Sequence, residues 1–355
     1  MRKESDFIRN IKANALKSDD LIVGIGDDAA VIDRGDKYEL ISTDMFAEGD
    51  HFRLDWFSDQ QVGMKAIECS VSDIFAMGGM PKFVFVSVCV PGIAGKRTDF
   101  LENLYEGIFQ ACKKYNIVLA GGDTTHGEKI VIDVVVVGEV AKERLCLRSG
   151  AKVGDAVCVT GNVGNGAAGL ELFLKDGQEA KWNSDYAEVV RKYLEPKAQG
   201  VKGPILADYV SAMIDVSDGI GSEIRHICEE SNARLEEVDF AESDRHGGTD
   251  DGFSPSKISA RIFADKIPML DEAVFASSYV KKRALNFALS GGEDFELMFT
   301  ISSEKLEKLQ GEKGFRENED FYVIGEIIGG NDEPVLVEDE VERSMPGGYD
   351  HFSVV

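Results

Sequence analysis

The first half of the chain alternates between segments suited to a pleated sheet and segments with helical periodicity, and this alternation admits few architectures. Residues 38–42 read as strand, 62–77 as helix, 82–90 as strand and 98–115 as helix. Residues 117–120 and 130–140 follow as strands, because their β-branched side chains suit a half-buried pleated surface. The expected class is α/β with mixed sheets. At 355 residues the chain is longer than one hydrophobic core usually supports, so two domains are expected. A basic, glycine-containing bend at 144–154 precedes a fresh strand at 155–160, which places the boundary near residue 148 and divides the chain into 1–148 and 149–355. The second part continues with a helix at 167–175, a helical hairpin at 184–194, a strand at 212–216 and a helix at 222–231. Residues 241–257 are acidic, glycine-containing and poor in large apolar side chains, and read as a mobile surface loop.

Composition narrows the function. The formal charge of −25 repels nucleic acid phosphates and anionic membranes, so neither is expected as a partner. Six cysteines, widely spaced and without a C-x-x-C pair, read as reduced thiols. Residues 1–16 pattern as an amphipathic helix rather than a signal peptide, and no apolar run approaches the ~18 residues of a membrane span. The expected location is the cytoplasm.

Six short motifs set acidic residues among glycines and small residues: GIGDDAA at 24–30, STD at 42–44, SVSD at 70–73, GGDTT at 121–125, DVSDG at 215–219 and GGED at 291–294. Read singly, each is better explained by turn and cap preferences. Together they point to a phosphate site with several magnesium ions, since magnesium takes oxygen ligands and shares its shell with substrate phosphates. Asp73 lies inside an apolar helical stretch, where an unpaired carboxylate is costly. Asp27 and Asp28 are adjacent like charges that a divalent ion would relieve. Asp123 follows a strand and is expected at its carboxyl-terminal edge, where α/β proteins bind ligands.

The run GNGAAG at 164–169 satisfies the dinucleotide-binding pattern, but a second helical stretch intervenes before the next strand. That turn either binds phosphate at a helix N-terminus or allows close packing. Gly95 and Lys96 are followed by Arg97 rather than Ser or Thr, so no P-loop is formed, and H-R-D, G-x-S-x-G and H-E-x-x-H are absent. His51 and Arg148 each read equally as ligand contacts or as packing and surface residues, whereas Tyr105 reads first as a partly buried helix residue and second as a contact to adenine.

In their order the segments GIGDDAAVI, STDMFAEGDHF, SVSDIFAMGGMPKF, GGDTTHG, RSGAKVGD, VTGNVGNGAAGLEL, MIDVSDGI, ALSGGEDFEL and GYDHF resemble the thiamine-monophosphate kinase family of the aminoimidazole-ribonucleotide-synthetase-like superfamily. The resemblance implies an N-terminal domain that pairs across a homodimer to form a β-barrel, with a C-terminal α/β domain beside it. It implies transfer of the γ-phosphoryl group of ATP to thiamine monophosphate, with Mg2+ as cofactor. By motif position Asp28, Ser42, Thr43, Asp44, Asp73, Asp123, Asp215 and Asp218 would be metal ligands. Tyr105, Gly122, Arg148 and Ser217 would contact ATP, and His51, Glu293 and Tyr349 the acceptor. Asp44, Asp73 and Arg148 would carry the chemistry. One departure concerns the family's aromatic residue before the terminal segment, where this chain has Pro346: either Tyr349 substitutes for it or the acceptor pocket is looser. The alternatives are another ATP-using member of the superfamily, acting on an amide oxygen or on selenium, or a non-catalytic nucleotide-binding protein of the same fold.

Overall fold

The computed structural model describes residues 4–91, 99–246, 257–312, 315–330 and 333–349. Two sheets dominate. The first contains β1 (Leu21–Val23), β2 (Ala30–Asp33), β3 (Tyr38–Ala47), β4 (Met80–Pro91), β5 (Val118–Gly127) and β6 (Val131–Val140), in the order β1-β2-β3-β6-β4-β5. Its neighbours are antiparallel except β4 and β5. The second contains β7 (Ala156–Thr160), β8 (Ala212–Asp215), β9 (Ile258–Phe263), β10 (Leu297–Ile301), β11 (Phe321–Gly329), β12 (Val335–Glu338) and β13 (Val341–Ser344). Its order is β13-β12-β9-β11-β7-β10-β8, with β9 and β12 parallel.

Helix α1 (Glu4–Asn14) precedes the first sheet, and α2 (Asp59–Ala76) and α3 (Phe100–Tyr115) belong to it. The second half adds α4 (Asn165–Asp176), α5 (Ala187–Leu194), α6 (Lys202–Leu206), α7 (Ile220–His246), α8 (Asp271–Val280), α9 (Ala284–Ser290) and α10 (Ser303–Gln310). Ser58 and Gln61 start α2 with a capping box, each side chain bonding the other's backbone N–H. The helix then lies on the inner face of the first sheet and also touches β8, so it runs between the two halves. One apolar cluster joins them, with Val62, Ile67 and Phe75 of α2 in the same core as Phe173 and Tyr193. Trp56 stacks on Phe173 with ring centroids 5.4 Å apart.

Along β3 exposure alternates: Leu40, Ser42 and Phe46 are buried, whereas Thr43 and Met45 are exposed. Register extends the outer face across the sheet, with Ile41, Val137, Phe83 and Val118 in one row, and Met45, Asp133, Ser87 and Asp123 in another.

Several expectations are corrected. β3 runs on to Ala47, so Ser42, Thr43 and Asp44 lie inside a strand. β5 runs on to Gly127, which puts Asp123 in the middle of an exposed edge strand rather than at its end. The strand survives its two glycines because pairing with β4 shifts register between Val84 and Phe85 and then resumes. Gly122 adopts φ +153° there, and a Cβ would fall 1.8 Å from the Val86 carbonyl oxygen, which requires glycine on backbone grounds alone. The helix expected at 222–231 extends to His246, so the first residues of the expected loop at 241–257 are helical. Residues 247–256, the Gly95–Lys96–Arg97 run and the last residues of GYDHF lie outside the described residues. The expected hairpin at 184–194 is a 3-10 turn followed by α5.

Candidate functional site

A cleft of about 280 Å³ opens between the halves, lined among others by Asp44, Asp50, His51, Asp73, Tyr193, Asp215, Ser217, Asp218, Glu293, Phe295 and Tyr349. At one end three carboxylates converge. Asp28 comes from the loop before β2, Asp73 from α2 and Asp215 from the end of β8, and each offers an oxygen within 4.8 Å of the others. Ser42 Oγ donates to Asp73 Oδ2. Behind the cluster, Arg148 donates from Nε (2.9 Å) and Nη2 (2.6 Å) to Asp28 Oδ1, and its backbone N–H lies 3.2 Å from Asp27 Oδ2.

This crowding shows in the acidities. Burial first, then the charges of Asp44, Asp215 and Asp28, push the Asp73 carboxyl well above the ordinary range. Burial and the Asp28 charge push Asp215 up to about 8. Asp44 is raised mainly by burial, as is Asp28 despite the opposing pull of Arg148. Glu223, whose Oε1 accepts from the Asp218 N–H at 2.8 Å, is raised by burial and then by the Asp218 charge. Asp28 Oδ2 is buried with no hydrogen-bond partner. An acceptor-only oxygen of this kind, among carboxylates from three separate elements, is a donor set that suits a hard divalent cation.

The other end of the cleft has a different character. Lys65, 2% exposed on α2, donates to Glu293 Oε1 at 2.7 Å. His51 Nδ1 accepts from the Ala47 N–H at 3.2 Å, and its ring meets Phe46 edge-on. Tyr349 donates from its hydroxyl to Asp50 Oδ1 at 3.2 Å and from its backbone N–H to the Asp218 carbonyl at 3.3 Å. Burial and the nearby Asp50 charge hold the Tyr349 phenol up at about 12.

The glycine run at 164–169 is not an open anion site. Asp294 fills the N-terminus of α4: Oδ2 accepts from Gly164 N–H at 2.5 Å, and Oδ1 from Asn165 N–H (2.9 Å) and Gly166 N–H (3.1 Å). A Cβ on Gly166 would lie 2.4 Å from the Glu293 carbonyl, so the run serves close packing. β7, which precedes it, is flanked by antiparallel β10 and β11, unlike a dinucleotide unit.

Comparison with known proteins decides the family. Residues 26–140 match the family "AIR synthase related protein, N-terminal domain". The thiamine-monophosphate kinase of Bacillus subtilis (strain 168) is 34% identical over 315 residues, spanning 87% of this chain and 86% of that one. The enzyme of the same name from Pyrococcus horikoshii is 33% identical, spanning 92% of this chain and 91% of its own length. The chain belongs to the thiamine-monophosphate kinase family. Among solved structures, "AaThiL complexed with AMPPCP and TMP" superposes with a TM-score of 0.80 at 29% identity, covering 99% of both chains.

Of the residues that the family resemblance singled out, Asp44, Asp73, Asp215, Ser217, Asp218, His51, Glu293 and Tyr349 line the cleft. Asp28, Ser42 and Arg148 stand directly behind its acidic end. Tyr349 takes the position beside the cleft, while the Pro346 carbonyl instead accepts from Arg225 Nη1 at 2.9 Å. Thr43 and Asp123 lie on the outer face of the first sheet, where Thr43 Oγ1 donates to Asp133 Oδ1 at 3.1 Å. Gly122 neighbours Asp123 on the same edge strand. Tyr105 is half-buried on α3 beside Phe109 and does not line the cleft.

Lys65, Asp50, Tyr193, Phe295 and Asp133 were missed. For Lys65 the signal was present: it is a charge in the apolar helix that also holds Asp73, four and eight residues before Cys69 and Asp73 on one helix face. Asp133 has no such signal, because a single carboxylate in a valine-rich strand acquires neighbours only through register.

Proposed function

We propose that this chain phosphorylates thiamine monophosphate with ATP, giving thiamine diphosphate and ADP, and that the reaction needs Mg2+. The observation that carries the reading is the convergence of Asp28, Asp73 and Asp215 at one end of a cleft whose other end presents His51, Glu293 and Tyr349. The names of the relatives, and a neighbour solved with AMPPCP and TMP, support it.

Asp28, Asp44, Asp73 and Asp215, joined by Ser42 and Asp218, would hold the magnesium ions, and the outward Thr43 and Asp123 would hold nucleotide-side metal together with Asp133. Bound Mg2+ supplies charge neutralisation between two polyanions that otherwise repel. Ser217, Arg148 and Gly122 would meet ATP, with Tyr105 nearer its base. His51, Glu293 and Tyr349 would orient the acceptor so that its phosphate oxygen faces the γ-phosphorus in line. That oxygen is already anionic, so no general base is required of the protein. Arg148 would add positive charge as the transferred group becomes more dissociated.

Two finer readings accompany this one. Residues 1–148 and 149–355 form two domains, in keeping with sheets built from residues 21–140 and 156–344 respectively. Two copies pair through the outer face of the first sheet to close a β-barrel, supported by the exposure of Met45 (62%), Phe83 (45%) and Phe85 (41%) on that face. Phe85→Glu is expected to give a monomer by light scattering, and an unchanged dimer would remove this interface. Among the described residues no helix is long and apolar enough to cross a membrane. The function is tested by offering ATP, Mg2+ and a panel of phosphate acceptors while scoring ADP and thiamine diphosphate separately. ADP released equally without thiamine monophosphate would overturn the reading.

A further inference from the structure

We propose that Lys65 is a positioning residue for the acceptor, acting through Glu293 by fixing the orientation and compensating the charge of that carboxylate. Lys65 is absent from the cleft lining, yet its ammonium lies 2.7 Å from Glu293 Oε1, and Glu293 does line the cleft. The ammonium sits 4.6 Å from the Tyr193 ring centroid and 5.1 Å from that of Phe57. These aromatic faces stabilise a cation that burial has stripped of water.

Glu293 is held at both ends. Its backbone adopts φ +60°, a region that disfavours side-chain-bearing residues, and its N–H donates to the Ser217 carbonyl at 2.8 Å. With the backbone set, the remaining freedom is in the side-chain torsions, and the lysine contact removes it. A carboxylate accepts on two oxygens, so engagement of Oε1 leaves Oε2 for a ligand. Charge argues the same way. Asp50, Asp218 and Glu293 all line the cleft, and an acceptor that carries phosphate is itself anionic. Lys65 offsets one of these charges without occupying ligand space.

The proposal rests on the acceptor reading above, and its test separates the two. Steady-state kinetics are measured for wild type, Lys65→Met, Lys65→Arg, Glu293→Gln and the Lys65→Met/Glu293→Gln double variant, varying ATP and thiamine monophosphate in turn. Lys65→Met is expected to raise KM for thiamine monophosphate about tenfold or more, leaving KM for ATP within about twofold and kcat within about threefold. Lys65→Arg, which keeps the charge, is expected to recover most of that loss. The double variant is expected to be no worse than Glu293→Gln alone, because the lysine acts only through the glutamate. A lysine that merely packs the core would instead add its effect to that of Glu293→Gln and disturb both substrates alike. Either result overturns the proposal, as does an unchanged KM in Lys65→Met. Should Lys65→Met fail to fold, Lys65→Arg decides: a rise in KM for ATP equal to that for the acceptor overturns it. A wild type that makes no thiamine diphosphate overturns the acceptor reading, and this proposal with it.

Discussion

At one end of the cleft Asp28, Asp73 and Asp215 bring three carboxylates within 4.8 Å of one another, and among the described residues Arg148 forms an ion pair with Asp28 of the three. At the other end Glu293 is also drawn inward, but a lysine buried to 2% exposure lies against it. Both ends use the same helix: Lys65, Cys69 and Asp73 follow at intervals of four residues on α2, so one face presents a compensated charge at one end and an uncompensated one at the other. The difference teaches how to read buried acids. Carboxylates converging from separate elements with a single arginine behind them offer oxygens that suit a divalent cation, whereas a carboxylate with its own lysine is part of the fixed scaffold.

The comparison breaks most readily at the acidic end. Asp73→Asn is expected to lower kcat/KM at least about a thousandfold, while metal-free protein stays as stable as wild type, because a crowded negative group has been neutralised. Denaturant melts and turnover check both halves of that statement, and a stability loss above about 1 kcal/mol would show that Asp73 is compensated after all.

At the other end the same kind of measurement should show a loss. Lys65→Met removes one partner of a buried pair and is expected to cost about 3 kcal/mol in urea unfolding. An unaltered midpoint would mean that the two ends do not differ.

A smaller effect sharpens the contrast. Saturating Mg2+ is expected to stabilise wild type by about 2 to 3 kcal/mol at a hundred times its dissociation constant, to leave Asp73→Asn nearly unmoved, and to shift Lys65→Met as much as wild type. Thermal melts with Mg2+ and with EDTA decide this, and an equal shift in Asp73→Asn would place the ion elsewhere.

A pH-dependent effect concerns the positive groups behind the acidic end. Burial, then Arg148 and Arg225, hold His226 down at about 4. Its folded acidity therefore lies below the unfolded value of about 6.5, so its contribution to stability is present above that pH and lost as pH falls toward 4. His226→Asn is expected to flatten the drop in stability between pH 6.5 and 4 relative to wild type. Parallel urea titrations across that range test it, and identical slopes would remove His226 from the account.

Much of the site was legible because its chemistry is written in short motifs whose order is specific. Asp73 announced itself as a charge within an apolar helix, and Asp28 as half of an adjacent acidic pair. The lengths of β3 and β5 were not legible, since glycines and acids that weaken a strand locally are tolerated when register with β6 and β4 supplies the hydrogen bonds. Thr43 and Asp123 accordingly came out on the outer face of a continuous sheet.

Local residue chemistry by itself determined the mixed α/β class, the acidic clusters and the family, because periodicity and motif order are properties of the chain alone. The tertiary structure decided which of those acids meet and what answers their charge. Asp294 closed the helix N-terminus that the glycine run had left open to phosphate, and Lys65 reached Glu293 across 228 residues of sequence. The physical reason is the same in both cases: a buried charge is costly without a partner, and partners are chosen by packing rather than by proximity along the chain.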